Sequence, residues 1–357
     1  MSSLDRILPF LRPIEDLLRD PSVTEVMVND GGRRVFVERD GLVEAVPERT
    51  LEVRNLTVAI KNIARACGDE ISDAQPLLDA RLEDGSRVAA LFPPCAVTGP
   101  ALTIRKFTRR YSLDDLIDVG ALSGDQASAL NRAVERRENV LISGGTGTGK
   151  TTLLNAWAAR IPDEERLIVI EETSEIHLDK PNVLRLEARR EQAPMGQGEP
   201  LPAVTIADLL RASLRHRPDR ILVGEVRGAE AFDLLQALNT GHLGSMSTIH
   251  ANSATQALTR LAHCVLMANV GLPHQSIREA IALAVHVVAH VSRVGGKRRL
   301  TELLRVGGYD SRNDQFALSP LLAEEHEPME RHDDSETRPS RAVDRLPDRA
   351  VVLRPRA

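Results

Sequence analysis

Residues 140–152 read Val-Leu-Ile-Ser-Gly-Gly-Thr-Gly-Thr-Gly-Lys-Thr-Thr, an apolar run that breaks into a glycine-rich turn and resumes as a helix-forming segment. Few folds accommodate such a stretch. The run has the length and flanks of a buried strand, and from Gly144 the order Gly-x-x-x-x-Gly-Lys-Thr matches the P-loop pattern at every position. Gly144, Gly145, Gly147 and Gly149 let the backbone curl, so that successive N–H groups from Gly145 through Thr146 and Thr148 can surround a phosphate. That phosphate would sit at the positive end of the helix beginning near Lys150. Lys150 would reach the β- and γ-phosphates, Thr151 would ligate Mg²⁺, and Thr152 would support the outer phosphates. A purely structural turn is the competing reading. The full pattern in a strand–turn–helix setting favours binding of a nucleoside triphosphate, ATP or GTP.

At 357 residues the chain has room for two domains. Its 42% hydrophobic and 27% charged residues are those of a soluble globular protein, and aromatics at 3% imply aliphatic cores. Lys plus Arg number 46 against 51 Asp plus Glu, a net charge of -5, which argues against a dedicated nucleic-acid binder. No apolar run approaches the roughly 20 residues needed to span a bilayer, and the N-terminus lacks the form of a signal peptide. Cys67, Cys95 and Cys264 are scattered, as expected of reduced thiols in a cytosolic protein.

Hydrophobic spacing predicts an amphipathic helix or two short ones over 3–19, interrupted by Pro9 and Pro13, then strands at 24–29, 34–38 and 42–46 in an antiparallel meander. A helix over 51–66 follows, with further strands at 78–82, 87–92 and 101–106. Residues 1–108 thus read as a small α+β domain and 109–122 as a linker. From 123 to 322 helices alternate with strands at 140–144, 166–171, 183–187, 220–223 and 245–249, which implies an α/β domain on a mostly parallel sheet. A hairpin over 287–306 turns at Gly295-Gly296. Past Ala323 charged residues and proline dominate, which reads as a disordered tail.

Hydrolysis needs more than a phosphate cradle: a magnesium carboxylate, a group to orient water, and positive charge at the leaving phosphate. The strand 167–171 ends in Glu171-Glu172, placing Glu172, with Glu171, where Mg²⁺ could be held through its waters. The strand 220–223 delivers Glu225 to the same sheet edge, where a carboxylate can steer Mg²⁺ and accept a proton from the attacking water. Arg227 would pair with Glu225 or reach a neighbouring subunit. His250 ends a third strand and could sense the γ-phosphate, with His242 a weaker candidate. His286 and His290, on a terminal strand without an acidic cluster, read as structural. Arg211, Arg215 and Arg217 lie near a helix end and suit its dipole.

Together these stretches resemble the secretion-ATPase superfamily behind type II secretion, type IV secretion and type IV pili, over about residues 20–306. The marks are the P-loop, the acidic box Ile170-Glu-Glu-Thr, Arg217-Pro-Asp-Arg-Ile-Leu-Val-Gly-Glu-Val-Arg-Gly and Thr240-Gly-His-Leu-Gly-Ser-Met-Ser-Thr-Ile-His-Ala-Asn-Ser. The acidic box carries Glu172 where the family often has Asp. Val183-Leu-Arg-Leu-Glu-Ala-Arg and the stretch to Glu199 look most like the CpaF branch, which drives Flp/tight-adherence pili; the conjugative-transfer branch is the near neighbour. The resemblance implies a RecA-like P-loop domain and an ATPase acting as a homo-hexamer. It also implies a peripheral position on the cytoplasmic face of the inner membrane, against an integral platform protein; the acidic charge balance, not the resemblance, speaks against direct contact to nucleic acid. Through the match of Asp84-Gly-Ser-Arg87 and Thr103-Ile-Arg105-Lys106, it implies that Arg87 and Arg105 approach the γ-phosphate.

Overall fold

A computed structural model describes residues 8–39, 41–82, 84–106, 111–189 and 202–322. The first part of the chain builds a six-stranded antiparallel sheet from β1 (Val23–Asn29), β2 (Arg34–Arg39), β3 (Leu42–Ala45), β4 (Leu77–Arg81), β5 (Arg87–Leu91) and β6 (Ala101–Arg105). The strands lie in the order β3-β2-β1-β6-β5-β4. Alternation sets its faces: Val26, Val28, Val35 and Val37 are buried, as are Val88, Ala90, Leu102 and Ile104. A long helix in this part of the chain, Val53–Ala66, lays Leu56, Ala59, Ile60 and Ile63 into the same cluster, the i, i+3, i+4, i+7 stripe that its sequence spells out.

Of the one helix or two short ones expected over 3–19, it is short pieces that form. The described part is two 3₁₀ turns, Leu8–Phe10 and Arg12–Ile14, followed by the short helix α1 (Glu15–Arg19). Pro13 removes a backbone donor inside the run, so it cannot stay α-helical throughout. The apolar side chains still dock on their own sheet: Leu8, Leu11, Ile14, Leu17 and Leu18 all belong to the N-terminal core.

The second sheet has eight strands: β7 (Val140–Gly144), β8 (Leu167–Glu171), β9 (Val183–Glu187), β10 (Arg220–Val226), β11 (Met246–His250), β12 (Val287–Val294), β13 (Lys297–Asp310) and β14 (Gln315–Pro320). Their order is β14-β13-β12-β7-β11-β10-β8-β9, parallel from β12 through β9 and antiparallel beyond β12. Strand β14 was not foreseen. Strand β13 runs on past Val306, and the register shift between Val306 and Gly308 makes Gly307-Gly308 a bulge within a longer ladder.

Successive residues of the central strands enter two different apolar layers. Val140, Ile142, Leu167 and Val169 pack with the helices Gly124–Glu135 and Lys150–Ala158. Leu141, Ile168 and Ile170 pack with Ile206–Ser213, Glu230–Asn239, Ala254–Met267 and His274–Ala284 on the opposite side. A strand covered on both faces must be apolar throughout, which is why β7 and β8 read as unbroken runs. Helix starts are fixed locally: Ser112, Ser123 and Thr205 each form a reciprocal capping box with the residue three positions on.

Both sheets belong to one compact unit. The tail expected past Ala323 lies outside the described residues, as do residues 1–7 of the N-terminal helix and most of the stretch up to Glu199. Among the described residues, no helix is long and apolar enough to cross a membrane.

The layer beneath the P-loop strand turns on Trp157, which is fully buried and donates its indole N–H to the Leu130 carbonyl at 2.7 Å. Trp157→Ala should cost about 3–5 kcal/mol in chemical denaturation, from lost transfer energy plus the cavity left behind. Unfolding at the same denaturant concentration as the parent would show that this layer does not depend on the indole.

Candidate nucleotide site

The P-loop takes the shape its glycines permit. Gly144, Gly147 and Gly149 have φ of 157°, 67° and 98°, and the helix α5 (Lys150–Ala158) starts directly after Gly149. Gly144 is fixed from outside as well: a Cβ there would lie 2.4 Å from the Val291 carbonyl oxygen of β12 and 2.6 Å from Thr148 Oγ1. Lys150 is folded back over the loop, its Nζ donating to the carbonyls of Gly144 at 3.0 Å and Gly145 at 2.9 Å. Burial pushes its pKa down, and Glu225 opposes that shift.

Glu225 owes its position to a bulge. The β10–β11 register slips between Val223 and Val226, and Thr248 Oγ1 donates to the freed Gly224 carbonyl at 2.6 Å. The bulge re-aims the next side chain. Glu225 Oε2 accepts from Arg227 Nη2 at 2.7 Å and Nε at 3.0 Å. Arg227 Nη1 holds Glu172 Oε2 at 2.7 Å. Glu225 Oε1 lies 2.7 Å from His250 Nε2, yet it is buried and receives no hydrogen bond of good geometry. A buried carboxylate oxygen left this way is poised for a cation or a water. Lys150 Nζ is 3.3 Å from His250 Nδ1, and the Gly144 carbonyl also interacts with the ring. Burial lowers the His250 pKa, with Glu225 resisting.

The N-terminal sheet closes the other side. Arg87 and Arg105 are direct register partners on β5 and β6. Like charges opposed across a ladder repel, and the arrangement is sensible where an anion lies between or near them. Arg87 Nη1 is held by Glu175 Oε1 at 2.8 Å. The loop carrying Glu175 also presents His177, whose Nδ1 lies 2.9 Å from the Glu175 carbonyl and whose Nε2 lies 2.9 Å from Arg81 Nη2. Asn155 on α5 clamps this loop, accepting from the His177 N–H at 2.8 Å and donating to the Glu175 carbonyl at 3.2 Å. The result is one cleft of about 710 Å³, lined by residues 146–152, Arg87, Arg105, Glu225, Arg227 and His250. Glu172 instead lines a small side pocket of about 50 Å³ shared with Thr151, Glu225 and Arg227.

Sequence reasoning missed Arg81, Asn155, Glu175, His177 and the hairpin arginines Arg293 and Arg298. No local signal marks them; only Glu175 and His177, just beyond the acidic box, were within reach of a motif. The other residues singled out in the sequence have definite places. Glu171, read as a partner of Glu172 at the metal, is committed elsewhere: it is buried, and its Oε1 accepts from the N–H groups of Glu175 at 2.8 Å and Ile176 at 3.0 Å. Gly224 makes room for it, since a Cβ there would lie 2.9 Å from Glu171 Cγ. His290 does have an acidic neighbour, Glu302, directly across the ladder, but its Nδ1 is engaged by Ser143 Oγ at 2.9 Å. His286 accepts from the Asn139 N–H at 2.9 Å, and His242 Nδ1 faces the Ala237 carbonyl at 3.1 Å, both structural. Arg211 binds Asp208 and Asp233 on the surface, away from the cleft lining.

Burial raises the Glu171 pKa from 4.5 to about 7, against the two backbone donors that lower it. Below pH 4.5 the folded and unfolded states both hold this proton, and nothing is lost. As pH rises towards about 7 the folded state binds more protons than the unfolded one, so its stability falls. Glu171→Gln removes that titration. Relative to the parent it should gain up to about 3 kcal/mol between pH 4.5 and 7.5 in denaturant titrations. Parallel pH profiles for the two proteins would show that Glu171 ionises normally in the fold.

The sequence matches the family model described as "Type II/IV secretion system protein" over residues 10–305. It is 38% identical over 305 residues to the conjugal transfer protein TrbB of Rhizobium radiobacter, covering 84% of this chain and 88% of that one. It is 38% identical over 314 residues to the type IV secretion system protein VirB11 of Brucella suis, covering 79% and 84%. The solved structure of the Legionella pneumophila ATPase DotB shares the fold, with a TM-score of 0.58 at 21% identity over 85% of this chain and 80% of that one. With a match that spans both sheets and the whole P-loop region, the chain belongs to the family of type II/IV secretion system proteins.

Proposed function

We propose that the chain is a Mg²⁺-dependent ATPase that powers a type IV secretion machine of the conjugative-transfer kind. The observation that carries the hydrolase reading is the convergence in one cleft of a P-loop lysine, the Glu225 carboxylate at a strand end, and two opposed arginines. The tight-adherence pilus branch suggested by the sequence gives way here, because relatives at 38% identity are conjugal-transfer and type IV secretion proteins. The wider assembly belongs to the same proposal: a homo-hexamer at the cytoplasmic face of the inner membrane, docked on an integral platform protein. So does the division into mobile parts, 1–108 and 123–322, joined through 109–122.

In this mechanism the loop 144–149 wraps the phosphates, Lys150 leaves its two carbonyls for the β- and γ-oxygens, and Thr152 supports the outer phosphates. Thr151, Glu225 and Glu172 would hold Mg²⁺, and the side pocket that all three line suits that donor set. Bound there, the ion offsets phosphate charge and orients the γ-phosphate. Glu225 orients water and takes its proton as the water oxygen bonds to the γ-phosphorus and the bond to the β–γ bridging oxygen breaks. Arg227 holds the other carboxylate oxygen still, and His250 Nε2 lies beside the first. Arg87 and Arg105 balance the charge that develops on the transferred group.

Lys150→Ala should abolish nucleotide binding in calorimetry. Glu225→Gln should bind an ATP analogue normally while phosphate release falls about 10²–10⁴-fold. Near-normal turnover in Glu225→Gln would remove the general-base assignment. In cells, Lys150→Ala should block conjugative transfer; normal transfer with lost tight-adherence pili would reinstate the pilus reading. Light scattering with the analogue and Mg²⁺ should give a six-subunit particle, and a monomer under all conditions would remove the ring from the proposal.

A further inference from the structure

The β12–β13 hairpin makes contacts that the mechanism above leaves unused. Its strand β12 lies directly against the P-loop strand, with Val291 paired to Gly144. Two residues on, Arg293 stands opposite Arg298 of β13, a second pair of like charges facing each other across a ladder. Both point at one carbonyl. Gly147 O accepts from Arg298 Nε at 3.0 Å and from Arg293 Nη2 at 3.3 Å. The same two guanidinium groups reach the N-terminal sheet. Arg293 Nη1 donates to Gly41 O at 2.6 Å, and Glu38 Oε1 lies 3.2 Å from Arg293 Nη2 and 3.7 Å from Arg298 Nη2. Gly41 has φ 80°, and a Cβ there would come within 2.9 Å of Arg293 Nη1, so the seat needs a glycine.

We propose that Arg293 and Arg298 are positioning residues that clamp the Gly147 carbonyl to the Glu38–Gly41 corner of the N-terminal sheet, so that the phosphate cradle holds its shape only while that sheet is docked. The proposal rests on the nucleotide reading of the P-loop given above. The physical link is the planar peptide. In a trans peptide the C=O of Gly147 and the N–H of Thr148 point in opposite directions, so two charged donors on the carbonyl also fix the direction of the amide. Glu38 supplies one carboxylate for two guanidinium groups. It brings both to the same place and offsets their mutual repulsion, and its loss would let the pair splay.

The test is a titration of ADP and of a non-hydrolysable ATP analogue, each with Mg²⁺, into the parent, Arg293→Ala, Arg298→Ala, Arg298→Lys and Glu38→Gln. Amide exchange of peptides covering residues 140–153 is measured without nucleotide, and melting curves confirm that each variant is folded. Both alanine variants should weaken ADP and the analogue by the same factor, about tenfold, as expected for losing a hydrogen bond to a charged donor. The P-loop peptides should exchange faster. Arg298→Lys, which keeps one charged donor, should recover part of the loss. Glu38→Gln should act in the same direction more weakly, and should add nothing to Arg298→Ala. Weakening of the analogue alone, with ADP unchanged, would overturn the proposal by making these arginines direct γ-phosphate ligands. Unchanged affinity and unchanged exchange would overturn it outright. Failure of the nucleotide reading looks different: the parent itself would bind neither ligand, while the exchange experiment would still decide the clamp.

Discussion

The cleft concentrates positive charge, and the rest of the molecule is arranged to make that tolerable. Lys150, Arg87, Arg105, Arg227 and Arg298 all line the same space. At an effective dielectric constant of 20, two unit charges 4 Å apart interact by about 4 kcal/mol, so unbalanced cations would push the two sheets apart. Three of them are tied to particular neutralising partners: Arg87 to Glu175, Arg227 to Glu225 and Glu172, Arg298 to Glu38. Lys150 turns to two backbone carbonyls instead. Because most partners sit on a different element from the cation, balancing the charge is also what stitches the N-terminal sheet to the P-loop sheet.

That network needs a stiff support, and the apolar layers provide it. The P-loop strand sits between β11 and β12 in register, with helices on both faces. Carboxylates enter this setting only where backbone donors or room are supplied. Glu171 is accepted because two N–H groups meet it and Gly224 leaves space above it. Arg220 is accepted because Glu165 binds it twice at 2.7 Å and Gly244, at φ 82°, leaves the space a side chain would fill. Breaking such buried pairs costs more than making them contributes, so they act as fixed points that resist sliding of the strands.

Much of this was legible in the sequence, for definite reasons. The P-loop and the apolar strands are contiguous in the chain, and their chemistry needs adjacent residues in a set order. Glu225 and His250 were legible because each ends an apolar strand, and parallel strands deliver their ends to one edge. What was hidden depends on register. That Arg87 faces Arg105, or Arg293 faces Arg298, follows from ladder pairings that composition and spacing do not encode. The bulge at Gly224 was equally silent, since a glycine in a strand pattern announces close approach without saying which side chain it re-aims. Glu171 and Glu172 looked alike as a pair. Strand β8 ends at Glu171, so that residue became a buried anchor met by two backbone N–H groups, and Glu172, just past the strand end, a partner of Arg227.

The same pairings suggest how charge could become motion under the proposed activity. Arg87 cannot serve Glu175 and a γ-phosphate fully at once, and Glu175 is on the loop that His177, Asn155 and Arg81 also hold. A doubly charged γ-phosphate is the stronger attractor for a guanidinium at close range, so binding would draw Arg87 from its carboxylate and release one tie of that loop. After cleavage the attraction weakens and the original pair is again the better arrangement. Only a small difference in ion-pair energy has to change sign for the sheet to move, because rigid layers on either side turn a local exchange of partners into displacement of a whole element. On this view the exposed ion pairs of the cleft matter less for stability, where such pairs are worth about 0–1 kcal/mol, than as alternatives that the substrate's own charge can displace.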